Sequence, residues 1–162
     1  MVPYTFEVTA RSRAAMATVF DLVGDARRWP EWTWVRRAVI TRQGDPPPNG
    51  IGSVRRLGIM PFASSEEIVA WEPPVHLAYV MRWGMPVRDY RADVRFAPGS
   101  NGAPGGSGGA SSTAGGTTVT WSVSFRPLVP GTGALLRALL RAIVGSFARG
   151  VTRFADRMAA QS

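Results

Sequence analysis

Tyr79, Tyr90 and Glu67 are the side chains of this chain best suited to move a proton. A phenol, or a carboxyl whose pKa is raised by burial, can exchange a proton with a guest in an apolar pocket. Arginines come next. Arg36-Arg37 and Arg55-Arg56 are adjacent pairs, so within a strand one member of each pair faces either side, while Arg88 has the parity of Tyr90. An inward arginine is costly unless a carboxylate, a ligand or water accompanies it. At the mouth or floor of a pocket it would hold an acid, a phenolate or a carbonyl of a ligand. Arg56 and Arg88 are the candidates for that role; the alternative is that all of these arginines sit at strand ends and reach solvent. His76 follows Pro74-Val75 at a strand start with the parity of Arg82, and is therefore expected on the solvent face. The G-x-S-x-G run Gly105-Gly106-Ser107-Gly108-Gly109 lacks the strand-to-helix context of a nucleophile elbow, so a serine triad has no support.

Most other catalytic kits are excluded by composition. The chain has 162 residues, no cysteine and one histidine, and all 19 of its basic residues are arginine. Without cysteine there is no disulfide scaffold, thiolate catalysis or cysteine-bound metal, and without lysine no Walker-type phosphate loop and no Schiff base. A single histidine rules out two-histidine metal motifs, and no cofactor is called for. The formal charge of +8 fits an anionic partner, but arginine, alanine, glycine and proline in quantity also read as the coding bias of a high-GC bacterium. Hydrophobic residues at 45% and charged residues at 19% suffice for one core in a chain of this length. Met1 to Glu7 lacks a basic segment followed by an apolar run, and no uninterrupted apolar stretch reaches the roughly 18 residues of a spanning helix. A cytoplasmic location is the default.

These residues lie on elements with clear periodicity. Tyr4 to Ala10 alternates as a strand, and Met16, Val19, Phe20 and Val23 share a helical face after Ser12, a potential cap, with Gly24 ending the helix. Pro30, in Trp29-Pro30-Glu31-Trp32, blocks continuation. Strand-like stretches then run over about Trp34–Arg42, Gly52–Gly58, Ser65–Glu72, His76–Trp83, Val87–Phe96 and Thr117–Arg126, broken by proline and glycine. Their short connections imply an antiparallel meander. The glycine-rich stretch 97–116 reads as an overgrown, flexible hairpin loop in a single domain spanning 1–162. From Thr132 to about Ala160, Leu136, Leu140, Ile143, Val144, Phe147, Val151, Phe154 and Met158 form one stripe of a long helix, with arginines around the other side. A curved antiparallel sheet is the partner large enough to receive that stripe.

The element order, with Asp25…Trp29-Pro30-Glu31-Trp32, the Gly50-Ile51-Gly52-Ser53 turn, Trp71-Glu72-Pro73-Pro74 and the terminal helix, resembles the SRPBCC superfamily. More narrowly it resembles the polyketide cyclase/dehydrase family, with a START-like helix-grip fold. The resemblance implies an α+β architecture: a curved antiparallel sheet of six to seven strands wrapped around a long C-terminal helix, with two short helices after the first strand. It also implies a cavity between sheet and helix, used by relatives for lipids, sterols, quinones or polyketides, and by some for cyclisation or dehydration.

Given that fold, Trp71, Tyr79, Met81, Trp83, Tyr90, Trp121 and Phe125 from the strands and Leu140, Val144 and Phe147 from the helix are the expected cavity lining, with Arg56 and Arg88 as cations. The same residues packed solid would leave no pocket. The expected partner is a small hydrophobic molecule, lipid, quinone or polyketide-like, bound or transported; the alternative is a cyclase or dehydratase in the same cavity. Nothing in the residues marks a reaction. Nucleic acid is disfavoured because strand arginines alternate with Asp89 and Asp93, although the arginine-rich helix face suits RNA or an anionic membrane surface. Monomer and homodimer both remain open.

Overall fold

The computed structural model describes residues 2–59, 62–99 and 115–161. Its elements are β1 (Tyr4–Ser12), α1 (Met16–Gly24), a 3-10 turn (Ala26–Arg28), α2 (Trp29–Trp32), β2 (Arg37–Arg42), β3 (Val54–Ile59), β4 (Phe62–Glu72), β5 (His76–Trp83), β6 (Val87–Pro98), β7 (Thr117–Pro127) and α3 (Gly133–Ala159). The seven strands form one antiparallel sheet in the order β1-β7-β6-β5-β4-β3-β2. This is the helix-grip arrangement. Most of the proposed loop at 97–116 lies outside the described residues; Ala97 and Pro98 extend β6.

Alternation sorts the two sheet faces. On β7, Val119, Trp121, Val123 and Phe125 are buried while the intervening side chains are half-exposed. The stripe of α3 behaves as its spacing requires, with Leu136, Leu140, Val144, Phe147 and Val151 buried and Ile143, Phe154 and Met158 packed around them. The helix lies against β1 and β7, and α1 and α2 also pack on it.

Two local expectations are corrected. Ser12 does not cap α1, whose N-terminal cap is Ala15. Its hydroxyl instead accepts from Ala14 N at 3.0 Å and donates to Asp156 at 2.7 Å, tying the end of β1 to the last turns of α3. Pro30 opens a helix rather than blocking one: at the first positions of α2 its missing N–H removes no intrahelical bond.

Candidate functional site

Between α3 and strands β3 to β6 lies a cavity of about 140 Å³. Leu57, Val35, Leu140, Val144 and Phe147 give it buried apolar walls, and Met81, Met85 and Ile143 are half-buried lining. Trp34, 49% exposed, stands at its rim, stacked on Phe147 and donating from its indole to Ser146 Oγ at 3.2 Å. The polar lining is sparse: Glu66 and the tyrosines Tyr79 and Tyr90, all buried, with Ser64 half-buried beside them.

The polar end rests on a cross-strand ion pair. Arg55 of β3 and Glu66 of β4 are register partners, and Arg55 Nε donates to Glu66 Oε2 at 3.0 Å with both side chains buried. The guanidinium lies between two rings, 4.8 Å from the centre of Trp29 and 4.6 Å from that of Tyr79. Its Nη1 donates to Val23 O at 3.4 Å, and Nη2 has no partner among the described residues. Burial pushes the Glu66 pKa above its ordinary value, and the Arg55 charge and hydrogen bond oppose that rise. Burial likewise raises Tyr79 and Tyr90 well above the ordinary phenol range, so both hydroxyls stay protonated across physiological pH. Tyr79 Oη accepts from Trp121 Nε1 at 3.1 Å. The result is a hydrophobic slot ending in two neutral phenols and a carboxyl of reduced acidity. Such a set can hydrogen-bond an oxygen of a guest, or exchange a proton with it. Among the described residues no cluster of histidine, aspartate or glutamate could hold a metal.

Of the side chains expected to line the cavity, Tyr79, Met81, Tyr90, Leu140, Val144 and Phe147 do so. Trp121 and Phe125 are instead solid core: Trp121 packs against Trp29 with its N–H satisfied by Tyr79, and Phe125 stacks on Tyr4. Trp71 sits at the far end of the sheet, edge-on to Phe20 and over Gly24, where a Cβ would lie 2.8 Å from its ring.

Strand parity misplaces the rest. Arg56 is exposed over the Trp83 ring at 5.0 Å; Arg55 is the inward member of that pair, and Arg36 and Arg37 are both exposed. Trp83 is exposed because the β4–β5 register shifts between Ser65 and Glu66, giving β5 an extra residue before it. Arg88 is exposed because β6 carries a bulge between Arg88 and Arg91, with Asp89 at φ +53°, so Tyr90 turns inward without it. Glu67 points to the outer face, where Arg42 reaches it at 3.0 Å and Arg82 also bonds it; Glu66 is the inward carboxyl. His76 is on the outer face as expected but buried, with Nε2 2.9 Å from Asp93 and Nδ1 3.4 Å from Glu72. Glu66, Trp34, Val35, Leu57 and Met85 are not singled out by pattern alone, and for Arg55-Arg56 the pattern says only that one member turns inward. The adjacency of Arg55 and Glu66 to their mis-chosen neighbours was the available signal.

Residues 3–160 match the family described as polyketide cyclase / dehydrase and lipid transport. An uncharacterized protein of Mycobacterium tuberculosis is 28% identical over 166 residues, spanning 95% of this chain and 86% of its own. Among solved structures, a START superfamily protein from Mycobacterium smegmatis is similar at a TM-score of 0.75 and 11% identity, covering 95% of this chain and 98% of that one. The di-domain ARO/CYC StfQ from the steffimycin biosynthetic pathway is similar at a TM-score of 0.72 and 18% identity over 98% of this chain and 52% of its own length. At these identities the structural likeness is one of fold. The match along nearly the whole sequence carries the assignment: the chain belongs to the polyketide cyclase / dehydrase and lipid transport family of the SRPBCC superfamily.

Proposed function

We propose that this protein binds a small, largely apolar molecule carrying an oxygen function, seated between the sheet and α3. The observation that carries this reading is the cavity of about 140 Å³, apolar along its walls and ending at Glu66, Tyr79 and Tyr90. An engineered apolar cavity of about 150 Å³ takes up benzene, so this slot has room for one aromatic ring. Pockets for drug-sized ligands run to roughly 300–1,000 Å³, so a multi-ring guest needs the rim to open. The lining supplies a means: Met81 and Met85 repack readily, and Trp34 is held from outside the core. Titration calorimetry with phenol and with benzene tests this. Phenol should bind more tightly than benzene, and Tyr90→Phe or Glu66→Gln should erase the difference. Equal, unsaturable uptake of both would overturn the reading. Native mass spectrometry of the purified protein, searching for a co-purifying apolar adduct, is the unbiased companion.

A cyclase or dehydratase reading is favoured by one further observation, the carboxyl of Glu66, made less acidic by burial and placed beside two protonated phenols. A proton donor and acceptor at one end of an apolar slot is what enol chemistry on a poly-β-keto chain requires. The description of the matching family, polyketide cyclase / dehydrase and lipid transport, supports that choice of substrate class. Glu66→Gln, Tyr79→Phe and Tyr90→Phe would slow turnover of such a substrate while leaving binding within a few-fold. Turnover unchanged in all three would remove this reading.

A further inference from the structure

We infer that the N-terminal half of α3 and the connection before it form a docking surface for an anionic lipid bilayer. Leu128 and Val129, between β7 and α3, are 56% and 54% exposed, and Leu135 and Leu139, one turn apart on α3, are 73% and 47% exposed. At 100° per residue Ala142 continues the same face, and Arg149 and Arg153 continue it further along the helix. One solvent face of α3 is therefore apolar for its first turns and cationic beyond. The charge is not neutralised internally. The helix carries Arg137, Arg141, Arg149, Arg153 and Arg157, none in an ion pair among the described residues. Its single acid, Asp156, is occupied by Ser12 and the Arg13 backbone.

The combination selects the occupant. A second copy docked through the same face would bring its own Arg149 and Arg153 to a surface that already carries both. A nucleic acid would meet the arginines but gain nothing from four exposed aliphatic side chains. A bilayer with anionic headgroups takes both, the cations at the headgroups and the leucines at the acyl boundary. No helix among the described residues is long and apolar enough to cross a membrane, so the contact is interfacial. Leu139 also neighbours Ile143, which lines the cavity with Trp34, so the docked surface borders the rim. Docking stands independently of what the cavity holds.

Co-sedimentation with vesicles tests this, using phosphatidylcholine alone and phosphatidylcholine with about one-third phosphatidylglycerol. Binding to the anionic vesicles alone is expected, weakening steeply as salt rises through about 0.15 M, where screening shortens to about 8 Å. Leu135→Gln and Leu139→Gln should each weaken binding roughly tenfold, the worth of burying one leucine side chain. Arg149→Gln and Arg153→Gln should each weaken it about fivefold. All four positions are exposed, and circular dichroism of each variant checks that it folds. Absent binding, equal binding to neutral vesicles, or leucine variants that bind like the wild type would overturn the inference. So would tighter binding to a single-stranded RNA homopolymer that the leucine substitutions leave untouched, or a dimer that those substitutions dissociate.

Discussion

Replacing Arg55 by methionine removes the cation of the buried pair and keeps the volume of the side chain. It leaves Glu66 in a site from which both its compensating charge and its hydrogen bond have gone. Breaking a buried pair from one side costs about 3–5 kcal/mol, a large part of the roughly 5–15 kcal/mol that holds a domain together. The cost depends on pH in a definite direction. Glu66 already titrates above its ordinary value because it is buried, and both influences that oppose the rise come from Arg55. In Arg55→Met its pKa therefore climbs further. A carboxyl with a raised folded-state pKa contributes its full stability below the unfolded pKa, near 4.5, and loses it as pH rises through the folded pKa. The deficit of Arg55→Met relative to the wild type should thus be large at pH 8 and shrink towards pH 4.5, where the wild type itself holds an unpaired guanidinium. Tyr79 and Tyr90 stay protonated throughout, and other titrating groups cancel in the difference. Urea denaturation of both proteins at the two pH values measures this directly. Adding Glu66→Gln to Arg55→Met should recover most of the loss at pH 8. A deficit equal at both pH values, or one that Glu66→Gln fails to relieve, would mean that Arg55 acts through its packing between Trp29 and Tyr79 rather than through its charge.

Two glycines of α3 should respond oppositely to alanine. At Gly145 the nearest atom to a new Cβ is the flexible end of Arg149 at 3.2 Å, so the helix gains up to about 1 kcal/mol, seen as a higher urea midpoint. At Gly150 a Cβ would lie 2.4 Å from the backbone oxygen of Trp32, forcing α2 and α3 apart, and a net loss of about 1–3 kcal/mol is expected in the same assay. Val144→Phe should fill the cavity from the helix side at a cost below about 3 kcal/mol and abolish phenol binding by calorimetry. Asp93 is held below its ordinary value chiefly by its hydrogen bond from Arg91, with His76 assisting. Its contribution is present at neutral pH and lost as pH falls through its folded pKa, so Asp93→Asn should cost on the order of 1 kcal/mol at pH 7 after solvent screening and progressively less below pH 4.

The elements were readable wherever alternation or helical spacing ran uninterrupted, as in β7 and α3. Sidedness failed at the end of the sheet nearest the cavity, and for one reason. Bulges beside Glu66 and at Asp89 each insert a residue, so counting in twos from Tyr79 or Tyr90 puts Trp83 and Arg88 on the wrong face. Adjacent like residues were equally opaque. Arg55-Arg56 and Glu66-Glu67 each offer one inward and one outward side chain, and only the β3–β4 register, which sets Arg55 opposite Glu66, tells them apart. Trp121 misleads differently: its aromatic size suits a cavity wall, yet its N–H is satisfied by Tyr79 within the core, as those of Trp29 and Trp32 are by backbone carbonyls. His76 is buried because carboxylates on two neighbouring segments converge on it, a tertiary fact with no local signature.

A hollow, rather than a seam of interlocked rings, is what any guest-binding role needs. Crystals of the protein soaked in phenol measure it most directly. Ring density bounded by Leu140, Val144 and Tyr79, with its oxygen within hydrogen-bonding distance of Glu66 or Tyr90, is the expected result. Crystals in which Phe147, Met81 and Leu140 close on one another and exclude phenol at saturating concentration would contradict it.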